Sequence, residues 1–227
     1  MSTRLRIGIF GGTFNPIHTC HLQMGARVRD LLGLDRLIFV PAAQPPHKTA
    51  DLAPARDRLA MTRLAVADCP GFEVDDLELT RAGPSYSVDT VEIFQARYPE
   101  ADRYFVVGSE MFRDFGTWRA PERILAAASV VVIARASYPF APLAGLRWLG
   151  ETSAEVLASF DAVPGEGVLD LRPSAPLVLV KPSPCDTSST RVRRDLAAGR
   201  PVKNLLPGPV HSYILKQRLY GARDADH

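Results

Sequence analysis

The amino-acid sequence predicts an α/β fold in which a doubly wound parallel sheet carries helices on both faces. Short apolar runs rich in β-branched residues alternate along the chain with stretches of helical, 3.6-residue periodicity. The apolar runs lack the alternating polar residues of a solvent-facing strand, which is typical of parallel sheets buried on both sides. Strands are expected at residues 5–10, 36–40, 72–74, 103–107, 129–134 and 177–180. Helices are expected at residues 21–32, 55–67, 87–97, 122–128, 191–198 and 209–218.

The chain of 227 residues is long enough to form one large domain with a substantial core. We expect a single domain over residues 1–227, with a poorly patterned elaboration at about 136–176 and a C-terminal helical part at about 187–220. The elaboration is rich in proline and glycine, and one helix-like piece at residues 153–160 interrupts it. It carries Trp148, which we expect to pack as a core or interface anchor and not as a ligand platform.

Composition and charge predict a soluble protein of the cytoplasm. The formal net charge of +2, with acidic and basic residues interspersed, argues against a nucleic-acid partner. No apolar run approaches the roughly 20 residues that span a bilayer, and the first residues lack the apolar segment of a secretory signal. The three cysteines are widely spaced, so they predict neither a disulfide framework nor a zinc site, and this fits a reducing compartment.

A glycine turn with two histidines follows the first expected strand. It runs from Gly11 to His21 with the sequence Gly-Gly-Thr-Phe-Asn-Pro-Ile-His-Thr-Cys-His. Glycines let the backbone approach an anion closely, and the free N–H groups at a helix start favour negative charge. His18 and His21 lie three residues apart and share one side of a helix, where imidazoles can donate hydrogen bonds to phosphate oxygens. The alternative is a glycine-rich turn with two surface histidines.

A second candidate phosphate segment lies near the C-terminus, where Thr187-Ser188-Ser189-Thr190-Arg191-Val192-Arg193 opens a helix-like run. Its hydroxyls are suited to a helix N-cap and to donating hydrogen bonds. Arg193 is a permanently charged donor suited to phosphate oxygens. Taken alone, the segment is better explained as a capped basic helix.

Together, the two segments look like the paired (H/T)xGH and ISxTxxR motifs of the nucleotidyltransferase superfamily. Further segments in the same order make the chain similar to bacterial nicotinate-mononucleotide adenylyltransferases. These segments are Pro45-Pro46-His47-Lys48, Pro84-Ser85-Tyr86-Ser87-Val88-Asp89-Thr90, Gly108-Ser109-Glu110, Thr117-Trp118 and Leu205-Leu206-Pro207. The resemblance covers nearly the whole chain, and residues 139 to 175 are the least matched. It implies a Rossmann-like fold and transfer of an adenylyl group from ATP to nicotinate mononucleotide in NAD biosynthesis.

The resemblance also implies roles for individual residues. The catalytic residues would be His18, His21 and Arg193. The ATP-binding residues would be Gly11, Gly12, Thr13, Phe14, Gly108, Glu110, Ser188 and Thr190. The acceptor-binding residues would be Lys48, Ser87, Trp118 and Arg135, where core packing is the alternative for Trp118. No metal held by the protein alone is expected, and Mg²⁺ would arrive with ATP.

Three residues depart from the family pattern: Cys20 replaces a glycine, Glu110 replaces an aspartate, and Thr187 replaces an isoleucine. Cys20 is expected at the start of a helix, where a thiol pKa can be lowered. We therefore expect its thiol to lie in the site and to react with alkylating agents faster than Cys69. The main alternative is that Cys20 is buried between helix and sheet as a small apolar group. A minor alternative is a redox link between Cys20 and Cys185, because Cys185 stands just before the second phosphate motif.

Two rival functions stay open at this point. One is a pantetheine-phosphate adenylyltransferase, a shorter sister enzyme that shares both phosphate motifs. That family lacks the segments Pro45-Pro46-His47-Lys48 and Pro84-Ser85-Tyr86-Ser87 and the segment around Trp118. The other is a catalytically weakened nucleotide-binding or sensing protein, which the departures at Cys20 and Glu110 suggest. The sequence leaves open whether the protein is a monomer or a homo-oligomer.

Overall fold

The computed structural model describes residues 4–45, 51–134, 139–172, 174–183, 185 and 187–222. In this part of the chain the strands are β1 (Arg6–Gly12), β2 (Arg36–Pro41), β3 (Phe72–Val74), β4 (Asp102–Gly108), β5 (Ser129–Ile133), β6 (Gly167–Asp170) and β7 (Leu177–Lys181). The helices are α1 (Thr19–Leu32), α2 (Ala55–Val66), α3 (Leu77–Thr80), α4 (Ser87–Arg97), α5 (Ser109–Phe112), α6 (Pro121–Ala127), α7 (Ala154–Ala162), α8 (Ser189–Ala197) and α9 (Gly208–Lys216). Single 3-10 turns occur at Phe115–Thr117, Ala141–Leu143, Arg147–Leu149 and Leu219–Gly221.

The strands form one sheet in the order β3-β2-β1-β4-β5-β7-β6, which confirms the predicted α/β class. Strand β4 pairs in parallel with β1 and with β5, and β5 pairs in parallel with β7. The order runs outward from β1 in both directions, as a doubly wound sheet requires.

The interior strands are buried without a polar face. All of Val130 to Ile133 in β5 and all of Leu177 to Val180 in β7 have no exposed surface. Neighbouring strands and helices therefore cover both faces of these strands, and this explains why their sequences are continuous apolar runs.

The sequence missed β6, which makes the sheet mixed instead of fully parallel. This strand pairs antiparallel with β7 at the edge of the sheet and lies inside the 136–176 elaboration. Its four residues are half-buried and exposed in turn, so it needs no apolar run of the kind that marked the other strands. The helices α3 and α5 were also missed, because a four-residue helix is too short to show periodicity.

The chain forms two compact units. The first unit comprises Met1–Phe10, Ala26–Leu37 and Ser87–Cys185, and within it α4 packs against α6. The second unit comprises Gly11–Gly25, Ile38–Tyr86 and Asp186–His227, and within it α2 packs against β3 and α9. The expectation of a single domain stays a prediction. None of the described helices combines the length and the apolar character needed to cross a membrane.

Candidate active site

The glycine turn that ends β1 is shaped by the ring of Phe14. A methyl group at Gly12 would lie 2.8 Å from that ring, so a side chain there would force the turn to move. Phe14 itself has φ of 46°, in the left-handed region that non-glycine residues rarely adopt. Its ring is buried and packs edge-on against His21, with ring centroids 5.2 Å apart. The contribution of Phe14 to ATP binding stays a prediction, and its ring packs against His21.

The two predicted catalytic histidines lie together. Their rings stack with centroids 3.7 Å apart and planes 29° apart. The backbone N–H of His18 donates to Nδ1 of His21 over 3.2 Å. Because Nδ1 accepts this hydrogen bond, a neutral His21 ring carries its proton on Nε2 and offers it as a donor. His21 is half-buried, whereas only 1 % of His18 is exposed.

The two phosphate motifs meet through the backbone of Asn15 and Pro16. The guanidinium of Arg193 donates to the carbonyl oxygen of Asn15 over 2.9 Å. The hydroxyl of Ser189 donates to the carbonyl oxygen of Pro16 over 3.0 Å. Helix α8 is thereby attached two residues before His18, and the structure brings together the segments that the sequence suggested as a pair.

The side chain of Asn15 joins several further segments of the second unit. Its Oδ1 accepts hydrogen bonds from the backbone N–H of Ala53 and from the hydroxyl of Tyr220, and its Nδ2 donates to the carbonyl of Asp51. Burial raises the pKa of the Tyr220 hydroxyl above its ordinary value. A neutral phenol therefore holds the end of the described chain against the turn that precedes His18.

The buried guanidinium of Arg58 joins the glycine turn to two other backbone segments. Arg58 lies on α2 with 1 % of its surface exposed. It donates to four backbone carbonyls, those of Ala53, Thr13, Ala42 and Ala43, over 2.6 to 3.1 Å. Thr13 was predicted to bind ATP, and its backbone carbonyl accepts one of these hydrogen bonds from the Arg58 guanidinium.

Helix α8 begins at Ser189, two residues earlier than the periodicity indicated. Ser188 is its N-cap, and its side-chain oxygen accepts the backbone N–H of Arg191 over 3.2 Å. The two predicted ATP ligands in this segment differ in exposure to solvent. Ser188 is half-buried at the N-cap, and Thr190 is exposed in the first turn. At the start of α1, the N–H of Thr19 donates to the carbonyl of Leu205 over 3.0 Å.

The remaining predicted ligands that the structure describes belong to the first unit. Gly108 ends β4 and Glu110 lies in α5, both at the carboxyl end of that strand. Ser87 is the first residue of α4. Trp118 is half-buried and packs on Phe115, with ring centroids 5.3 Å apart. Two predicted acceptor ligands, Lys48 and Arg135, lie outside the described residues.

The expectation of a reactive thiol at Cys20 was wrong, whereas the alternative of a buried Cys20 is confirmed. Cys20 and Cys185 are both disulfide-bonded, and Cys69 is a free thiol. Cys20 is fully buried, and its Sγ accepts the backbone N–H of Thr187 over 3.3 Å. The idea of a reactive thiol at Cys20 is therefore withdrawn, as is the cysteine argument for a reducing compartment. Sequence spacing gave little indication of these disulfide-bonded cysteines, because cysteines so far apart form no local motif.

Metal-binding side chains are not grouped in the described part of the chain. It contains no set of three or more His, Cys, Asp or Glu side chains that could hold a metal ion. The phosphate motifs instead present cations and hydroxyls, which suit phosphate oxygens.

Three residues that hold backbone segments near His18 by hydrogen bonds were not predicted from the sequence: Arg58, Asn15 and Tyr220. A signal existed for Arg58, because it falls on the buried stripe of α2 with Met61, Thr62 and Ala65. A charge on such a stripe needs partners, and it marks a buried network. Tyr220 carried no comparable signal.

The chain is similar over nearly its whole length to proteins of one family. Residues 9–195 match the family model described as cytidylyltransferase-like. A probable nicotinate-nucleotide adenylyltransferase of Citrifermentans bemidjiense is 42% identical over 219 residues, which cover 95% of this chain and 98% of that protein. One with the same description from Thermus thermophilus is 40% identical over 216 residues, which cover 95% and 100%.

A solved structure supports the fold. The nicotinic acid mononucleotide adenylyltransferase of Plasmodium falciparum, complexed with NaAD, matches with a TM-score of 0.72. The match covers 97% of this chain and 99% of that one at 18% identity.

Proposed function

The chain belongs to the nicotinate-nucleotide adenylyltransferase family, and we propose that it transfers the adenylyl group of ATP to nicotinate mononucleotide. The products are nicotinate adenine dinucleotide and pyrophosphate, and the reaction is a step of NAD biosynthesis. The structural observation that carries this proposal is the attachment of Arg193 and Ser189 to the backbone just before His18. It supports one phosphate site built from both motifs.

The reaction needs positioning and charge stabilisation more than proton transfer. The attacking group is a phosphate oxygen of nicotinate mononucleotide, which is already anionic, and the leaving group is pyrophosphate. The main barriers are the repulsion between two polyanions and the charge that develops around the α-phosphorus. Fixed cations and N–H donors lower both.

The residues of the second unit suit these tasks. His21 offers Nε2–H because its Nδ1 is occupied by the N–H of His18. Among the described residues the guanidinium of Arg193 makes one hydrogen bond, to Asn15, which leaves further N–H groups for phosphate oxygens. Ser188 and Thr190 add hydroxyls at the start of α8. In the proposed division of roles, His18 acts at the α-phosphate and Arg193 at the leaving pyrophosphate.

Magnesium enters this scheme as part of the substrate, Mg-ATP. The described residues provide no carboxylate cage for it, and a Mg²⁺ ion bound mainly by phosphates needs none. It neutralises phosphate charge, and the protein supplies the surrounding donors.

The acceptor ring has a candidate platform in the first unit. Trp118 presents a large indole face and is half-buried, so part of it can receive a ligand. We assign it to the pyridine ring, with Ser87 near the carboxylate of that ring. Lys48 and Arg135 are the proposed partners of the acceptor phosphate.

Acceptor choice tests the proposal against its rivals. Purified protein is incubated with Mg-ATP and, separately, nicotinate mononucleotide, nicotinamide mononucleotide and 4′-phosphopantetheine, and pyrophosphate release is followed. We expect turnover with the nicotinate form and a kcat/KM at least ~10-fold lower for the nicotinamide form, because donors arranged for a carboxylate pair poorly with an amide. Turnover with phosphopantetheine would favour the sister enzyme. ATP binding without release of its pyrophosphate in the presence of any of the three acceptors would favour a sensing protein.

A further inference from the structure

Both tryptophans of the chain pack against one buried phenylalanine. Phe115 has no exposed surface. Its ring centroid is 5.3 Å from that of Trp118, with planes tilted by 57°, and 5.3 Å from that of Trp148, with planes at 81°. Trp148 comes from the 136–176 elaboration, a region to which the proposed reaction assigns no role.

Trp148 also covers the turn that presents Trp118. A methyl group added at Gly116 would lie 3.8 Å from Nε1 of Trp148, so the indole rests over this part of the backbone. The turn Phe115–Thr117 closes with the N–H of Trp118 donating to the carbonyl of Phe115 over 3.1 Å. Trp148 thus touches both the ring and the backbone on which the position of Trp118 depends.

Trp148 is itself held in place. The guanidinium carbon of Arg147 lies 3.9 Å from its ring centroid, within the range of a cation–π contact. The same guanidinium forms an ion pair with Glu122 of α6 over 2.6 Å. The next residue, Leu149, is buried. The indole therefore has fixed neighbours on several sides.

We infer that Trp148 is a positioning residue for the acceptor subsite: through Phe115 it fixes the indole of Trp118 against which the pyridine ring stacks. The inference rests on the proposed function, because it takes Trp118 as the ring platform. It assigns the elaboration a role in acceptor binding and none in binding the triphosphate. Aromatic pairs of this geometry contribute enough that losing one weakens a dependent ligand contact by about 3- to 10-fold.

Tryptophan fluorescence tests this inference, because the chain contains two tryptophans. Trp148→Phe and Trp148→Ala each leave Trp118 as the single indole. Without ligand, we expect the Trp118 emission of W148A to be red-shifted relative to W148F, since the turn is no longer covered. Titration with nicotinate mononucleotide should quench the Trp118 emission of both variants. The Kd of W148F should lie within about 2-fold of the Kd of the parent, and the Kd of W148A should be about 3- to 10-fold higher than that of W148F. The KM for Mg-ATP should stay within about 2-fold in both.

The outcomes separate this inference from the proposed function. Equal emission and equal acceptor affinity in W148A and W148F, with normal turnover, would overturn the positioning role and leave the function intact. A parallel rise in the KM for Mg-ATP in W148A would also overturn it, because the effect would then be general. No quenching and no turnover with nicotinate mononucleotide, in the parent as well, would reject the function itself. If W148A does not fold, W148L replaces it with the same expectations, since leucine keeps apolar volume but has no flat ring.

Discussion

Replacing Arg58 with lysine should lower the free energy of unfolding more than any conservative change on the exposed face of α2. The guanidinium makes four hydrogen bonds to carbonyls from three separate segments, at residues 13, 42–43 and 53. A lysine ammonium has its three donors on one atom and cannot reach all three segments. At least two charge-assisted hydrogen bonds are lost, and each contributes about 1.5 kcal/mol. Burial already lowers the pKa of Arg58, so an imperfectly paired charge there is costly.

The expected loss from Arg58→Lys is therefore about 3 kcal/mol of unfolding free energy. Urea denaturation followed by far-UV circular dichroism measures it. Arg63→Lys is the matched control, because Arg63 lies on the same helix in an exposed ion pair with Asp76 and should change stability by less than about 0.5 kcal/mol. Equal stabilities of the two variants would show that the buried network does not hold these loops.

Three further predictions concern the second unit. Gly12→Ala, which puts a methyl 2.8 Å from a neighbouring ring, should raise the KM for Mg-ATP by at least ~10-fold in steady-state assays, whereas Gly208→Ala, with open space around it, should not. His18→Ala should lower kcat by on the order of 10²-fold with little change in ATP affinity, against no change for His211→Ala; a kcat within ~3-fold would reject a role at the transition state. The raised pKa of the Tyr220 hydroxyl contributes stability that is complete below its unfolded pKa of about 10 and is lost as the pH rises above it. Tyr220→Phe should flatten that alkaline loss in melting temperatures recorded from pH 8 to pH 11.

The parts of the fold that depend on burial could be predicted from the sequence. Strands such as β5 are enclosed on both faces, so they must be apolar throughout, and that constraint is visible in the residues. Strand β6 was missed because it lies at an edge, where half of its residues face solvent.

The sequence suggests ligands for the candidate site but does not indicate which residues hold those ligands in place. Glycines, histidines and hydroxyls beside helix starts have a direct chemical meaning for phosphate, so His18, His21 and Arg193 could be proposed without a structure. The supports act through backbone carbonyls, as Arg58 does, or through a partner about 200 positions away, as Tyr220 does with Asn15. Such pairings depend on tertiary folding and leave no local pattern.

The proposed reaction joins the adenylyl group of ATP to the phosphate of nicotinate mononucleotide. It is tested most directly by incubating the purified protein with Mg-ATP and nicotinate mononucleotide and quantifying both products by chromatography. We expect nicotinate adenine dinucleotide and pyrophosphate to form in equal amounts, and neither to form when the acceptor is left out. Pyrophosphate released with AMP and no dinucleotide, or no pyrophosphate at all, would contradict the account.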